Sequence, residues 1–240
     1  MSQPPLVAVA HGSRDPAAAA TVSSLMQQVR RQRPGLTVEC CFLEHASPSL
    51  SHAIASAGPG AVVVPLLLTA AFHSSIDLRA QLATIDSDAV QADVLGPHPL
   101  LLTALERRLA EAGVQPGHTG TAVVLAAAGS SNPAARRTIR EQAVSWAGRG
   151  WWAVEPAFAS AGEPTVTAAV AALRRRGAPR IAVASYLLGP GLFADRLAAS
   201  GADVVSSPLA DAPEVAAVIL ERYETARRCG SAVVLPVRRR

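Results

Sequence analysis

Short apolar runs alternate along this chain with longer segments in which Ala, Leu, Val and Arg recur at helical spacing. The runs at 6–10, 37–43, 61–67, 92–95, 122–127, 152–158, 180–185 and 203–205 have the length of strands. Between them, 17–33, 49–57, 77–83, 100–112, 134–148, 165–176, 193–199 and 213–227 predict helices. Regular β–α alternation is the pattern of a parallel sheet with helices packed on its faces, so the expected class is α/β.

The eight runs are one four-strand unit written twice. Leu6-Val-Ala-Val-Ala-His-Gly-Ser-Arg-Asp-Pro16 aligns with Val123-Val-Leu-Ala-Ala-Ala-Gly-Ser-Ser-Asn-Pro133, each an apolar strand ending in a Gly-Ser turn and a proline. Phe42-Leu-Glu-His-Ala-Ser-Pro48 meets Phe158-Ala-Ser-Ala-Gly-Glu-Pro164, and Val63-Val-Pro-Leu-Leu-Leu-Thr-Ala-Ala-Phe-His73 meets Val183-Ala-Ser-Tyr-Leu-Leu-Gly-Pro-Gly-Leu-Phe193. Gly and Pro punctuate the joint at 112–120. The expectation is two tandem similar domains, 1–118 and 119–228, each a mainly parallel four-stranded sheet flanked by helices, followed by a tail at 229–240.

A duplication separates fold from chemistry inside one chain: what both halves keep serves the fold, and what one half alone carries is a candidate for function. His11 is matched by Ala128, Glu44 by Ser160 and His73 by Phe193. All three chemical groups stand at or just beyond predicted strand ends in the first half, at the edge where open α/β sheets bind ligands. Two imidazoles and a carboxylate suit a first-row divalent metal, and three protein ligands leave positions open for exchange. Taken singly, each has a plainer reading: a polar strand end for His11, a satisfied core histidine for His73, a solvated charge for Glu44. Their joint loss from the second half favours the functional one.

The remaining motifs narrow the chemistry. The turn at His11-Gly-Ser-Arg-Asp-Pro16 leads from strand to helix, so Ser13, Arg14 and the local N–H groups could receive an anion. Dinucleotide and Walker glycine patterns and the Gly-x-Ser-x-Gly elbow are absent from the sequence. Arg14, Arg79, Arg136, Arg137 and Arg196 flank the same turns and could hold carboxylates. His45 and His52 read as surface residues, His118 lies in the joint, and His98, in Gly-Pro-His-Pro, reads as a supporting or substrate contact.

Composition bounds the setting. The 240 residues are 50% hydrophobic and 17% charged, which excludes global disorder. The longest apolar stretch, 61–72, holds Pro65 and falls short of the roughly 20 residues of a membrane span. With no leader-like start, the chain is expected in the cytoplasm. Cys40, Cys41 and Cys229 form neither a disulfide framework nor a thiolate zinc pattern, and are expected reduced and buried. The net charge of +4 is carried by arginine alone, and with 4% aromatics and no long basic block it suits a small polyanion better than nucleic acid.

Together, His11-Gly-Ser-Arg-Asp-Pro16, Phe42-Leu-Glu44 and Pro65-Leu-Leu-Leu-Thr-Ala-Ala-Phe-His-Ser-Ser-Ile-Asp77 resemble the class II tetrapyrrole chelatases of the sirohydrochlorin chelatase family, in its long, two-domain form, over roughly residues 5 to 227. The resemblance implies insertion of Fe2+ or Co2+ into sirohydrochlorin without ATP, at a cleft between the two domains. It implies His11, Glu44 and His73 as metal-binding and catalytic residues; Ser13, Arg14, His98 and Arg136 are expected, from their own positions, as the substrate contacts. Iron is the first expectation, no cofactor is needed beyond the divalent metal substrate, and a monomer could supply the whole cleft. Leu78-Arg79 departs from the family's usual Ile-Pro after the aspartate. A non-catalytic metal or tetrapyrrole carrier, and a small-anion-binding module with structural histidines, are the alternative readings.

Overall fold

The computed structural model describes residues 3–13, 15–69, 72–85 and 87–231, with side chains throughout these except at 72–77, 230 and 231. The first half runs β1 (Leu6–Ala10), α1 (Pro16–Gln32), β2 (Val38–Phe42), α2 (Leu50–Ala57), β3 (Val62–Pro65), α3 (Phe72–Thr84), β4 (Val90–Gln91) and α4 (Pro99–Glu111). The second repeats it as β5 (Thr121–Ala127), α5 (Pro133–Ala147), β6 (Ala153–Phe158), α6 (Val166–Arg175), β7 (Arg180–Tyr186), α7 (Leu192–Ala198), β8 (Val204–Val205) and α8 (Pro213–Ser231). Both sheets are wholly parallel, ordered β2-β1-β3-β4 and β6-β5-β7-β8.

The local chemistry that starts the helices is also duplicated. Asp15 caps α1 by accepting from the Ala17 N–H, and Asn132 caps α5 by accepting from Ala134, each before a proline that is pre-set for the first helical turn. Ser13 and Ser130 each accept from the amide of that cap. Ser49 and Thr165 cap α2 and α6 in the same way.

Side-chain alternation sorts the strands into three apolar layers. Leu6, Ala8 and Ala10 of β1 and Val123, Leu125 and Ala127 of β5 face one common inner core, reinforced by α1, α4, α5 and α8. Val7 and Val9 face outward onto α2 and α3, while Ala122, Val124 and Ala126 face α6 and α7. The two halves therefore bury their inner faces against each other.

The fourth helices are exchanged. α8 packs on α1, β3 and β4 of the first half, and α4 lies against α8 and β7. Ion pairs sit along this seam: Arg107 grips Glu214 with two nitrogens, Arg108 reaches Asp211, and Arg33 reaches Glu224. The sheets divide between β4 and β5, but the helices that cover them cross that division.

Four expectations need correction. The fourth strand is Val90–Gln91 rather than 92–95: Ala92 and Leu95 still donate to Val63 and Leu67, but the chain peels from the ladder toward Gly96. α3 begins at Phe72, not 77, so His73 stands in a helix's first turn. The tail does not start at 229, because α8 runs through Ser231; residues 232–240 lie outside the described ones. Of the cysteines, Cys41 is buried, its thiol pushed up to about 12 by burial and by Cys40, whereas Cys229 is exposed, contrary to expectation.

Candidate active site

In a sheet ordered 2-1-3-4 the chain leaves β1 toward one side and returns to β3 on the other, which opens a crevice beyond the ends of those two strands. His11 is the first residue after β1 and is exposed in that crevice. Gly12 follows with φ +97°, and a Cβ there would lie 1.8 Å from the Glu44 carbonyl oxygen. Only glycine accepts both constraints. Beyond the ladder, Leu43 donates to Ala10 and Glu44 donates to the His11 carbonyl at 3.0 Å, so the backbones of His11 and Glu44 run side by side.

Two cavities open at His11, and its side chain lines both. The larger, of about 440 Å³, lies between the β1 turn, α1 and the 187–194 segment of the second half; Val22, Leu25, Leu187, Leu188 and Phe193 give it apolar walls. The smaller, of about 290 Å³, lies between residues 66–69, the β5 turn and α5, with Arg136 and Tyr186 in its lining. They are counterparts under the repeat: Gly12 and Ser13 line one, Gly129 and Ser130 the other.

The candidate residues fare differently. Ser13 lines the larger cavity, its Oγ accepting from the Asp15 amide at 3.0 Å. Arg14 lies outside the described residues, as does the His73 side chain, although its backbone places it in the first turn of α3, the helix that follows β3. The Glu44 carboxylate is exposed and sits 3.4 Å from His45 Nε2. Among the described residues no three ligating side chains form a metal-holding group. In the second half Ser160 cannot substitute for Glu44, because its hydroxyl donates to the Ala128 carbonyl at 2.6 Å.

His98 does not face the cleft. It caps α4, Nδ1 accepting from the Leu100 amide at 3.2 Å, while Nε2 meets Glu221 of α8 at 3.1 Å. The expectation of a substrate contact gives way to a fastening between α4 and α8. Arg79 and Arg137 are exposed, and Arg196 donates to Ala159 while stacking on Phe193.

One residue at the site escaped sequence reasoning. Tyr186, at the end of β7, is 2% exposed, donates to the Leu68 carbonyl across the interface and lies within 3.5 Å of Gln142 Nε2. Burial pushes its hydroxyl well above the usual tyrosine range, against the opposing Gln142 hydrogen bond. The signal was present in the repeat, where Tyr186 matches Leu66: a polar group gained in the half that lacks counterparts of His11, Glu44 and His73.

A tandem pair of doubly wound sheets whose strand ends converge on one histidine-bearing cleft defines a two-lobed α/β ligand-binding protein. More narrowly, the family model CbiX matches residues 5–112 and again 122–226, and the chain belongs to that family. It is 27% identical over 199 residues to the sirohydrochlorin ferrochelatase of Priestia megaterium, covering 79% of this chain and 74% of that one. It is 28% identical over 202 residues to the sirohydrochlorin cobaltochelatase of the same organism, covering 79% of this chain but only 65% of that protein. The structure of SirB from Bacillus subtilis with Fe3+ shares the fold, with a TM-score of 0.77 over 96% of this chain and 98% of that one at 21% identity.

Proposed function

We propose that the protein inserts Fe2+ or Co2+ into sirohydrochlorin without ATP, holding the macrocycle in the cleft beyond the strand ends. The observation that carries this reading is the placement of His11: it opens into both cavities at the switch point of the first sheet, where the second half has Ala128. Similarity to a ferrochelatase and to a cobaltochelatase supports the reaction and leaves both metals within it.

Metallation exchanges pyrrole N–H protons for a divalent cation, so the site must deliver the ion and accept protons. A neutral imidazole does either near pH 7, and His11, exposed at the cleft, can pass a proton on to water. Glu44, tied by its amide to the His11 carbonyl, is placed to offset the incoming charge, and His73 in the first turn of α3 completes the set. The apolar walls of the larger cavity take the macrocycle's faces and exclude water there. This reading treats 1–118 and 119–228 as the two lobes of one monomer, since a single chain supplies both sides of the cleft.

Anaerobic absorption spectroscopy with sirohydrochlorin and either Fe2+ or Co2+ tests it, with His11→Ala and His73→Ala alongside. Metallation above the spontaneous rate, lost by about a hundredfold or more in both variants at unchanged folding, is expected for groups that move protons or metal. Stoichiometric binding of metal and macrocycle without turnover would identify a carrier instead, and equal turnover in the variants would remove the histidines from the mechanism.

A further inference from the structure

The second half has lost its ligands but kept its cavity. The repeat carries Ala128 and Ser160 where His11 and Glu44 stand, yet the strand-end turn, the capped helix and about 290 Å³ of space remain. A redundant hollow would be filled at little cost, since unfilled apolar space sacrifices packing. This one instead gained a cation.

Arg136 occupies the α5 position that Ala19 holds in α1, and Gly162 occupies the position of Ala46. The two changes fit together. Gly162 has φ +137°, and a Cβ there would come within 2.8 Å of the Arg136 Cδ and of the Phe158 ring. The arginine stem and the Phe158 ring thus both border space that only the glycine leaves open. Its guanidinium donates through one nitrogen to the Ser130 carbonyl and borders the cavity, which no carboxylate lines among the described residues. Arg107, Arg108, Arg149, Arg174 and Arg176, by contrast, are each paired with an acid. A guanidinium at an apolar cavity without a counter-charge is a receptor for an anion, and its planar fork fits a carboxylate.

We propose that the smaller cavity is a carboxylate subsite in which Arg136 takes one acidic side chain of the macrocycle. The proposal rests on the chelatase reading above. His11, shared by the two cavities, then stands between the ring-binding space and this anchor, so that gripping one edge of the ring sets its orientation over the histidine.

The test is equilibrium binding of metal-free sirohydrochlorin, followed by absorption or fluorescence, to the unaltered protein, Arg136→Met and Arg136→Lys. We expect Arg136→Met to bind roughly ten- to a hundredfold more weakly, with Arg136→Lys between the two, as for loss of a charge-assisted hydrogen bond. A fully esterified sirohydrochlorin should bind all three proteins alike, a pattern that a merely misfolded variant would not produce. Equal binding of the free acid by Arg136→Met and the unaltered protein overturns the subsite and leaves the chelatase reading standing. Failure of the unaltered protein to bind sirohydrochlorin at all overturns both.

Discussion

The hydroxyl of Tyr186, at the end of β7, donates to the carbonyl of Leu68, beyond β3, at 3.1 Å. This bond joins the second half to the segment that leads into α3 and His73. Leu68 is also wedged against Gly96, where a Cβ would fall 2.2 Å from its oxygen. The second half thereby positions the segment of the first that leads to the candidate residue His73.

Removing the hydroxyl separates positioning from packing. Tyr186→Phe keeps the ring but leaves the Leu68 carbonyl without its donor, which costs about 1–2 kcal/mol of stability. Metallation by this variant should show a several-fold lower kcat with KM for the macrocycle little changed. Steady-state kinetics beside a thermal melt check this; a loss of stability with kcat intact would make Tyr186 a structural residue only.

Gly12 carries two constraints, a positive φ and the contact with the Glu44 carbonyl. Gly177 has φ +83° with no neighbour within 4 Å and serves as the reference. Gly177→Ala should cost about 1 kcal/mol, and Gly12→Ala clearly more, because the β2 extension bearing Glu44 must also move. Denaturant titration of both variants measures the difference, and equal losses would reject the close approach as the reason for glycine.

The seam between α4 and α8 should be acid-sensitive. Burial works against ionisation of Glu214, but the two-pronged hydrogen bond from Arg107 and the charges of Arg107 and Arg108 outweigh it and hold the carboxyl below its ordinary value. A carboxyl depressed in the folded state stabilises at pH above its unfolded value of about 4.3, and that contribution disappears as the pH falls through the folded value. Glu214→Gln should therefore be less stable than the unaltered protein by about 1 kcal/mol at pH 7, with the gap closing as the pH falls below the ordinary glutamate value of about 4.3. Thermal melts across this range decide it; a gap independent of pH would show that the charge contributes nothing.

Much of this protein is decided locally and was legible in its letters. Strand and helix alternation, the capping Asp15 and Asn132, and the repeat itself follow from hydrophobic periodicity and side chains bonding within a turn, so seven of the eight strands lie where the pattern puts them. The location of His11 at a strand end needed nothing more, and comparing one half with the other singled it out. Other features depend on groups distant in the chain. His98 reads as a supporting or substrate contact in its Gly-Pro setting because Glu221, its partner, comes from a helix that crosses to the other half. The exchange of α4 and α8, the Tyr186 bond to Leu68 and the pairing of two cavities around one histidine likewise arise only when two inner faces bury each other. Periodicity tells each segment which face to bury, but the partner it meets there is set by long-range packing, and that packing assembles the cleft.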